Sequence, residues 1–376
     1  MKPEDNYPKY MKEKILPYIL LRREETYLTR NPGQTIYCAF YTAGRSTSSQ
    51  GQDKSAAKDK SARNEKGSGR EGTSARNEAQ TVKGIILISH GFTETADKYF
   101  EVIYEFLKAG YHVCIPEHCG HGRSYRLVED DLSLVYTDSW QRYVDDLKFV
   151  ALSAKSHWSK DLPLFLFAHS MGGGIGAALA AKEPHLFQKV ILSSPMIRPA
   201  TGNVPWPLTK LIVSIMCAFG KEKSYVIGQH PYDGKETFEI SFATSQARWA
   251  WYKEKIDKEP LFQTAGASYG WLREAIRLNQ FLINDAWRQI AAPVLLIQAT
   301  METVVSKEQQ EKFITKLAKV RKQSESSSKG AGSSDAGQPA DREVRFVRIS
   351  GAKHEIFHSD DETFAKYLGG CLEFLA

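Results

Sequence analysis

From residue 82 onward the chain alternates short, unbroken apolar runs with longer stretches whose apolar positions recur every three or four residues. The runs at 82–89 (VKGIILIS), 162–168 (LPLFLFA) and 189–193 (KVILS) lack polar alternation, as expected of strands buried on both faces. Residues 111–115, 293–298 and 343–349 supply three more strands. Between them, residues 98–109, 139–156, 175–181 and 306–320 read as helices; in the second, Tyr143, Leu147, Val150 and Ala151 share one face. This repeated alternation predicts an α/β fold with a doubly wound, mostly parallel sheet and helices on both faces.

Residues 195–285 break the rhythm. No clear strand is visible there, and Leu208, Leu211, Ile212, Ile215, Met216 and Phe219 fall on one helical face, followed by a run of Trp, Tyr and Phe. The segment is expected to be a helical cap inserted into the α/β core. Two further stretches, 44–81 and 323–342, are built from Ser, Gly, Lys, Glu and Asn; the first carries Ser-Ala-Arg-Asn-Glu twice, at Ser61 and Ser74. Neither holds enough apolar surface to offset its ordering entropy, and both are expected to be disordered insertions, dispensable for the chemistry. The core is then assembled from residues 1–43, 82–194, 286–322 and 343–376.

Composition narrows the class. A hydrophobic content of 42% over 376 residues supports one large core, and a net charge of +6 does not indicate a nucleic-acid binder. Five scattered cysteines without a C-x-x-C pair suggest neither a disulfide framework nor a zinc ribbon. The mixed-charge N-terminus does not read as a secretory signal, and no apolar run approaches the ~20 residues a membrane span needs. A cytoplasmic protein is expected.

The sharpest chemical signal is Ala168-His169-Ser170-Met171-Gly172, where a buried run ends and a small-residue helix begins. A serine on such a strand–turn–helix joint, with small residues two places to either side, is a nucleophile elbow. The bland alternative is a glycine-rich helix start with an incidental serine. His90-Gly91-Phe92 follows the run 82–89, where an oxyanion loop belongs, so the amides of Phe92 and Met171 are the candidate donors. Glu302 follows the strand at 293–298, and His354 follows the last strand. The chain order serine, acid, histidine is that of an α/β-hydrolase triad, each member on a loop at a carboxyl edge.

With Pro116-Glu117-His118-Cys119-Gly120-His121-Gly122-Arg123-Ser124 added, these segments resemble the lysophospholipase and monoacylglycerol-lipase branch of the α/β-hydrolases, S33-like hydrolases that include bacterial inner-membrane-associated lysophospholipases. The resemblance covers nearly the whole chain outside the two low-complexity stretches. Glu302 departs from the Asp that most of the wider family carries. The resemblance implies a serine hydrolase that needs no cofactor and cleaves a lysophospholipid or monoacylglycerol ester, with possible peripheral contact at the inner face of the plasma membrane. His90, Gly91, Ile212 and Ile215 are the candidate substrate contacts. His118 and His121 beside Glu117 would make only a partial metal site, and Cys119 is a candidate reactive thiol. Acyl transfer, short-chain ester cleavage and a non-catalytic binding role remain open, and the sequence leaves the oligomeric state undefined.

Overall fold

The buried apolar runs become the centre of an eight-stranded sheet. In chain order the strands are β1 (Arg23–Asn31), β2 (Gln34–Tyr41), β3 (Gly84–Ser89), β4 (Tyr111–Pro116), β5 (Leu134–Val135), β6 (Leu164–His169), β7 (Lys189–Ser193), β8 (Gly266–Ala267), β9 (Val294–Ala299) and β10 (Val344–Ile349). The computed structural model describes residues 3–44, 82–330 and 343–376. The sheet order is β1-β2-β4-β3-β6-β7-β9-β10, parallel from β4 to β10 and antiparallel at β1, β2 and the junction with β4. β5 and β8 form a separate two-stranded parallel ladder.

Strand alternation sorts the core into two layers. Ile85, Leu87, Leu164, Leu166, Val190, Leu192, Val294 and Leu296 face one cluster, which holds helices Trp140–His157, Ser170–Lys182 and Tyr269–Phe281. Ile86, Ile88, Phe165, Phe167, Ile191, Leu295 and Ile297 face the other, under the helical segment 7–20 and helices Phe100–Lys108 and Asp361–Leu375. Burial on both faces explains why these strands carry no polar alternation. Because β3 lies between β4 and β6, the chain reverses its direction across the sheet at β3, and the crevice there is the place where open α/β sheets put their sites.

Several details depart from the sequence reading. The N-terminal 43 residues contribute the β1–β2 hairpin, turned at Pro32-Gly33 with Gly33 in the left-handed region (φ 74°). The segment 195–285 contains helices Trp206–Ala218, Gln246–Lys258 and Tyr269–Phe281, but also β8, which the composition did not announce. Helix Lys307–Gly330 runs eight residues into the stretch 323–342 that was expected to be disordered. Residues 45–81 and 331–342, the rest of the two expected insertions, lie outside the described residues.

One buried ion pair fastens the inserted helix Gln246–Lys258 to the core. Arg248, only 1% exposed, donates from Nε to Glu101 Oε2 at 2.8 Å and from Nη2 to Glu101 Oε1 at 2.9 Å and Asp361 Oδ1 at 2.8 Å. Its Nη1 donates to the Ser359 carbonyl, and the Tyr7 hydroxyl donates to Glu101 Oε2. Four separate chain segments therefore converge on one guanidinium. Arg248→Met is expected to lower the unfolding free energy in urea by about 3–5 kcal/mol, because it strands a buried carboxylate. Adding Glu101→Gln, which removes that charge and keeps an acceptor for Tyr7, should recover part of the loss; no recovery would contradict a charge-based role.

Candidate active site

β6 ends at His169, and Ser170 opens the next helix with a φ of 53°. A non-glycine residue in this region is uncommon and strained, and here the surroundings fix it. The Ser170 carbonyl accepts the Met196 amide at 2.7 Å, and the following turn is pressed against the end of β3. A Cβ on Gly172 would lie 2.2 Å from the Ser89 carbonyl oxygen and 2.4 Å from that of His90, so no side chain fits there. The methyl of Ala168, in the place where glycine is commoner, has room because Gly176 has no side chain: a Cβ there would come within 3.0 Å of it.

The structure brings Ser170, His354 and Glu302 into one hydrogen-bonded line. His354 Nε2 is 2.8 Å from Ser170 Oγ, and His354 Nδ1 is 2.7 Å from Glu302 Oε2. The other carboxylate oxygen, Oε1, accepts the amides of Val304 at 2.8 Å and Val305 at 3.2 Å. Burial alone would raise the Glu302 carboxyl, but His354 and these two amides hold it below its usual value, so it stays ionised beside the imidazole. Adjacent β9 and β10 deliver both loops side by side, and the Met301 amide donates to the Ala352 carbonyl at 3.0 Å while the Gly351 amide donates to Thr300 Oγ1 at 2.9 Å. Asp360, also near the histidine in sequence, instead caps helix Asp361–Leu375.

The loop after β3 packs against the serine. A Cβ on Gly91 would lie 3.0 Å from Ser170 Cβ, so the turn that leads into Phe92 touches the nucleophile candidate. Met171 lies in the first helical turn, where its amide has no intrahelical acceptor and the helix dipole favours negative charge. These two amides are the geometric candidates for an oxyanion hole.

A buried residue that sequence reasoning missed holds this loop. Glu94 accepts the Gly91 amide at 2.6 Å, the Tyr99 hydroxyl at 2.6 Å and Lys98 Nζ at 2.9 Å; Lys98 also reaches Glu355 at 2.6 Å. Burial would raise the Glu94 carboxyl, but Lys98 and His169 hold it well below the usual carboxylate range. The pattern Glu94-x-x-x-Lys98 was visible as a helix-like pair, but its link to Gly91 required the turn at Thr93 (φ 60°).

Other sequence candidates are placed differently. His90 is fully buried: the His118 amide donates to its Nε2 at 2.8 Å, which leaves the proton on Nδ1 to bond the Gly91 carbonyl at 2.7 Å. Neither His90 nor Gly91 lines the cavity at Ser170, so their expected role as substrate contacts is replaced by a structural one. Ile212 does line that cavity, whereas Ile215 does not; it is nearly half exposed on the outer side of its helix. Glu117 is taken by Arg123 and the Ala96 amide, and His118 Nε2 by Ser89 Oγ, so both are committed to holding the loops. Burial pushes the Cys119 thiol up to about 12, which makes it an unreactive core residue.

The cavity beside Ser170 has a volume of about 730 Å³ and is walled mainly by apolar groups, among them Phe92, Met196, Ile212, Val213, Trp271 and Leu272. An ordered Ser–His–Glu line opening on such a space is equipped for acyl transfer from a substrate with a long apolar chain.

Several known proteins are similar to this chain in sequence or fold. The family model described as serine aminopeptidase, S33, matches residues 80–330. The chain is 27% identical to lysophospholipase L2 of Escherichia coli K12 over 307 residues, 80% of this chain and 82% of that protein. It is 32% identical to a monoacylglycerol lipase of Mycolicibacterium smegmatis over 142 residues, covering 37% and 45% of the two chains. Among solved structures, a soluble variant of Saccharomyces cerevisiae monoglyceride lipase superposes with a TM-score of 0.62 at 18% identity, over 94% of each chain. A Bacillus coagulans carboxyl esterase gives 0.65 at 16% identity, over 94% and 97%. These two likenesses speak for the α/β-hydrolase fold.

The depressed carboxyl of Glu94 makes a pH prediction. Its stabilisation is fully present above the unfolded carboxyl value of ~4.3 and is lost as the pH falls through the lower folded value. Melting temperature should therefore drop on acidification below about pH 4.3, and Glu94→Gln should flatten that drop while lowering the melting temperature at pH 7. An unchanged acid slope in the variant would count against the assignment.

Proposed function

The chain belongs to the S33 serine aminopeptidase family of hydrolases, and from that premise we propose that it cleaves the carboxylic ester of a single-chain lipid, a lysophospholipid or a monoacylglycerol. The observation that carries this reading is the Ser170–His354–Glu302 line at the wall of an apolar cavity large enough for an acyl chain. Names of relatives in both lipid classes support the same substrate range.

In the proposed reaction Glu302 holds His354 with its proton on Nδ1, leaving Nε2 free to accept. His354 takes the Ser170 proton as Oγ attacks the ester carbonyl, and the Phe92 and Met171 amides stabilise the oxyanion. Collapse of the tetrahedral species expels the alcohol, protonated by His354. Water, activated by the same imidazole, then releases the fatty acid.

Access to such substrates calls for contact with a lipid surface. Among the described residues no helix is long and apolar enough to cross a membrane. Helix Trp206–Ala218 and its flanks, however, expose Leu208, Leu211 (56%), Ile215 and Phe219 (78%) on one stripe, while Ile212 and Val213 of the same helix wall the cavity. Lys221 and Lys223 follow the stripe. An apolar face with basic neighbours at the mouth of an acyl cavity suits shallow, peripheral docking on an anionic membrane.

Ser170→Ala should fold normally and lose at least about 10⁴-fold in ester turnover, the scale set by removal of a triad nucleophile. Residual turnover near that of the unmodified protein would end the serine-hydrolase reading. Leu211→Asp with Phe219→Asp should reduce hydrolysis of lipid in anionic vesicles about tenfold or more, and change hydrolysis of a soluble short-chain ester little. Equal losses on both substrates, with a lower melting temperature, would assign the stripe to packing.

A further inference from the structure

Three cavities meet at one phenyl ring. The acyl cavity, a smaller one of about 250 Å³ beside it and a recess of about 420 Å³ outside Glu302 have Phe242 as a common wall; among the described residues no other borders all three. The recess, which Lys307 and Lys353 also line, shares no other wall residue with the acyl cavity, so Phe242 divides the two. The backbone around this residue is fixed on the loop that carries His354. The Phe242 carbonyl accepts the Glu355 amide at 3.0 Å, and Lys353 Nζ donates to the Ser241 carbonyl at 2.9 Å. The Thr244 and Ser245 amides donate to the His358 carbonyl at 3.2 and 2.9 Å. Ser241 and Ala243 on either side are buried, whereas Phe242 is 41% exposed, so alternation turns its ring away from the core. There it stands edge to face against the His354 imidazole, with centroids 6.3 Å apart and an interplanar angle of 83°. Four hydrogen bonds to one loop keep the ring at a set place relative to the base.

As the bond from the acyl carbon to the alcohol oxygen breaks, His354 Nε2 hands its proton to that oxygen. The oxygen and the carbon that bears it must therefore lie at the imidazole edge, which is where Phe242 stands. We propose that Phe242 is the specificity-determining residue for the alcohol half of the ester: its ring leaves room for one carbon substituent on the carbon that bears the leaving oxygen and excludes a second. The single arm of a primary alcohol passes the ring on the side of the smaller cavity. The second arm of a secondary alcohol points toward the recess, which the ring closes off. Selection of this kind works by a built-in clash rather than by added attraction. The preferred esters are thus those of primary alcohols, which in a glycerol lipid means an acyl group on a terminal carbon rather than the central one. The inference rests on the ester-hydrolase reading above and specifies which ester that site cleaves.

The test measures kcat/KM of the full-length protein on two isomeric esters of one acyl chain, n-propyl and isopropyl octanoate, in neutral detergent micelles, with fatty-acid release as readout. Isopropyl esters are intrinsically the less reactive, so the quantity read is the change in the n-propyl to isopropyl ratio on substitution. Phe242→Ala joins the recess to the acyl cavity and should lower that ratio about tenfold through faster turnover of the isopropyl ester, the scale on which a fitted pocket discriminates one methyl group. Phe242→Leu should fall between the two, and Phe242→Trp should raise the ratio. Melting curves show that the variants are folded; should the alanine variant not be, the leucine variant carries the test. An unchanged ratio overturns the proposal. So does a proportional loss on both esters with a shifted pH profile of kcat, which would make the ring a shield for His354 instead. Turnover with a ratio that no substitution moves defeats this inference alone, whereas no turnover of either ester by the unmodified protein defeats the hydrolase reading itself.

Discussion

The contact on which the rest of the site depends is backbone against backbone: the first turn of helix Ser170–Lys182 lies on the end of β3, with Gly172 facing the Ser89 and His90 carbonyls at distances no Cβ could tolerate. That approach fixes Ser170 in its left-handed turn and brings the Gly91–Phe92 loop to its side. The candidate nucleophile and the proposed oxyanion donors are thereby set by sheet order rather than by flexible side chains, since β3 and β6 are parallel neighbours in register. Glu302 and His354, the proposed acid and base, arrive in the same manner from β9 and β10, whose loops are tied to each other before either reaches the serine. Preorganisation of this kind leaves little rearrangement for the moment of reaction.

Around this line the protein has placed charge where a purely apolar core would have been simpler. Glu94, Lys98 and Glu355 form a buried chain behind the oxyanion loop, and Arg248 with Glu101 fastens the inserted helix above it. Such groups add little net stability over well-packed apolar side chains, but they tolerate few alternative arrangements. We read them as devices of position: one holds the Gly91 amide, the other sets the inserted helix Gln246–Lys258 on the core.

Much of this was legible in the sequence, for a physical reason. The strands β3, β6, β7 and β9 are buried on both faces, so their residues are apolar without interruption, and the chemistry sits in the loops that leave them. Ser170 and Glu302 could be found because each lies a few residues beyond such a run, and His354 because it follows the last strand, β10. The hairpin β1–β2 was overlooked because β1 is an edge strand with exposed Glu24, Glu25 and Tyr27, and only Pro32-Gly33 marked its turn. Partnerships between distant positions, such as Arg248 with Glu101, leave no local pattern. The apolar stripe from Leu208 to Phe219 was evident, but periodicity gives a face and not the direction it looks; much of it points outward, which is why Ile215 is absent from the cavity and Ile212 is present.

The central claim is that the reaction passes through an acyl group carried on Ser170. Rapid acid quenching of the enzyme during turnover of a slowly deacylating ester, followed by peptide mass spectrometry, tests it directly. The account predicts one adduct of acyl mass on the peptide that contains Ser170, appearing in the first turnover and decaying as the ester is exhausted. An adduct on any other residue, or its absence under conditions where the ester accumulates a burst of released alcohol, would contradict it.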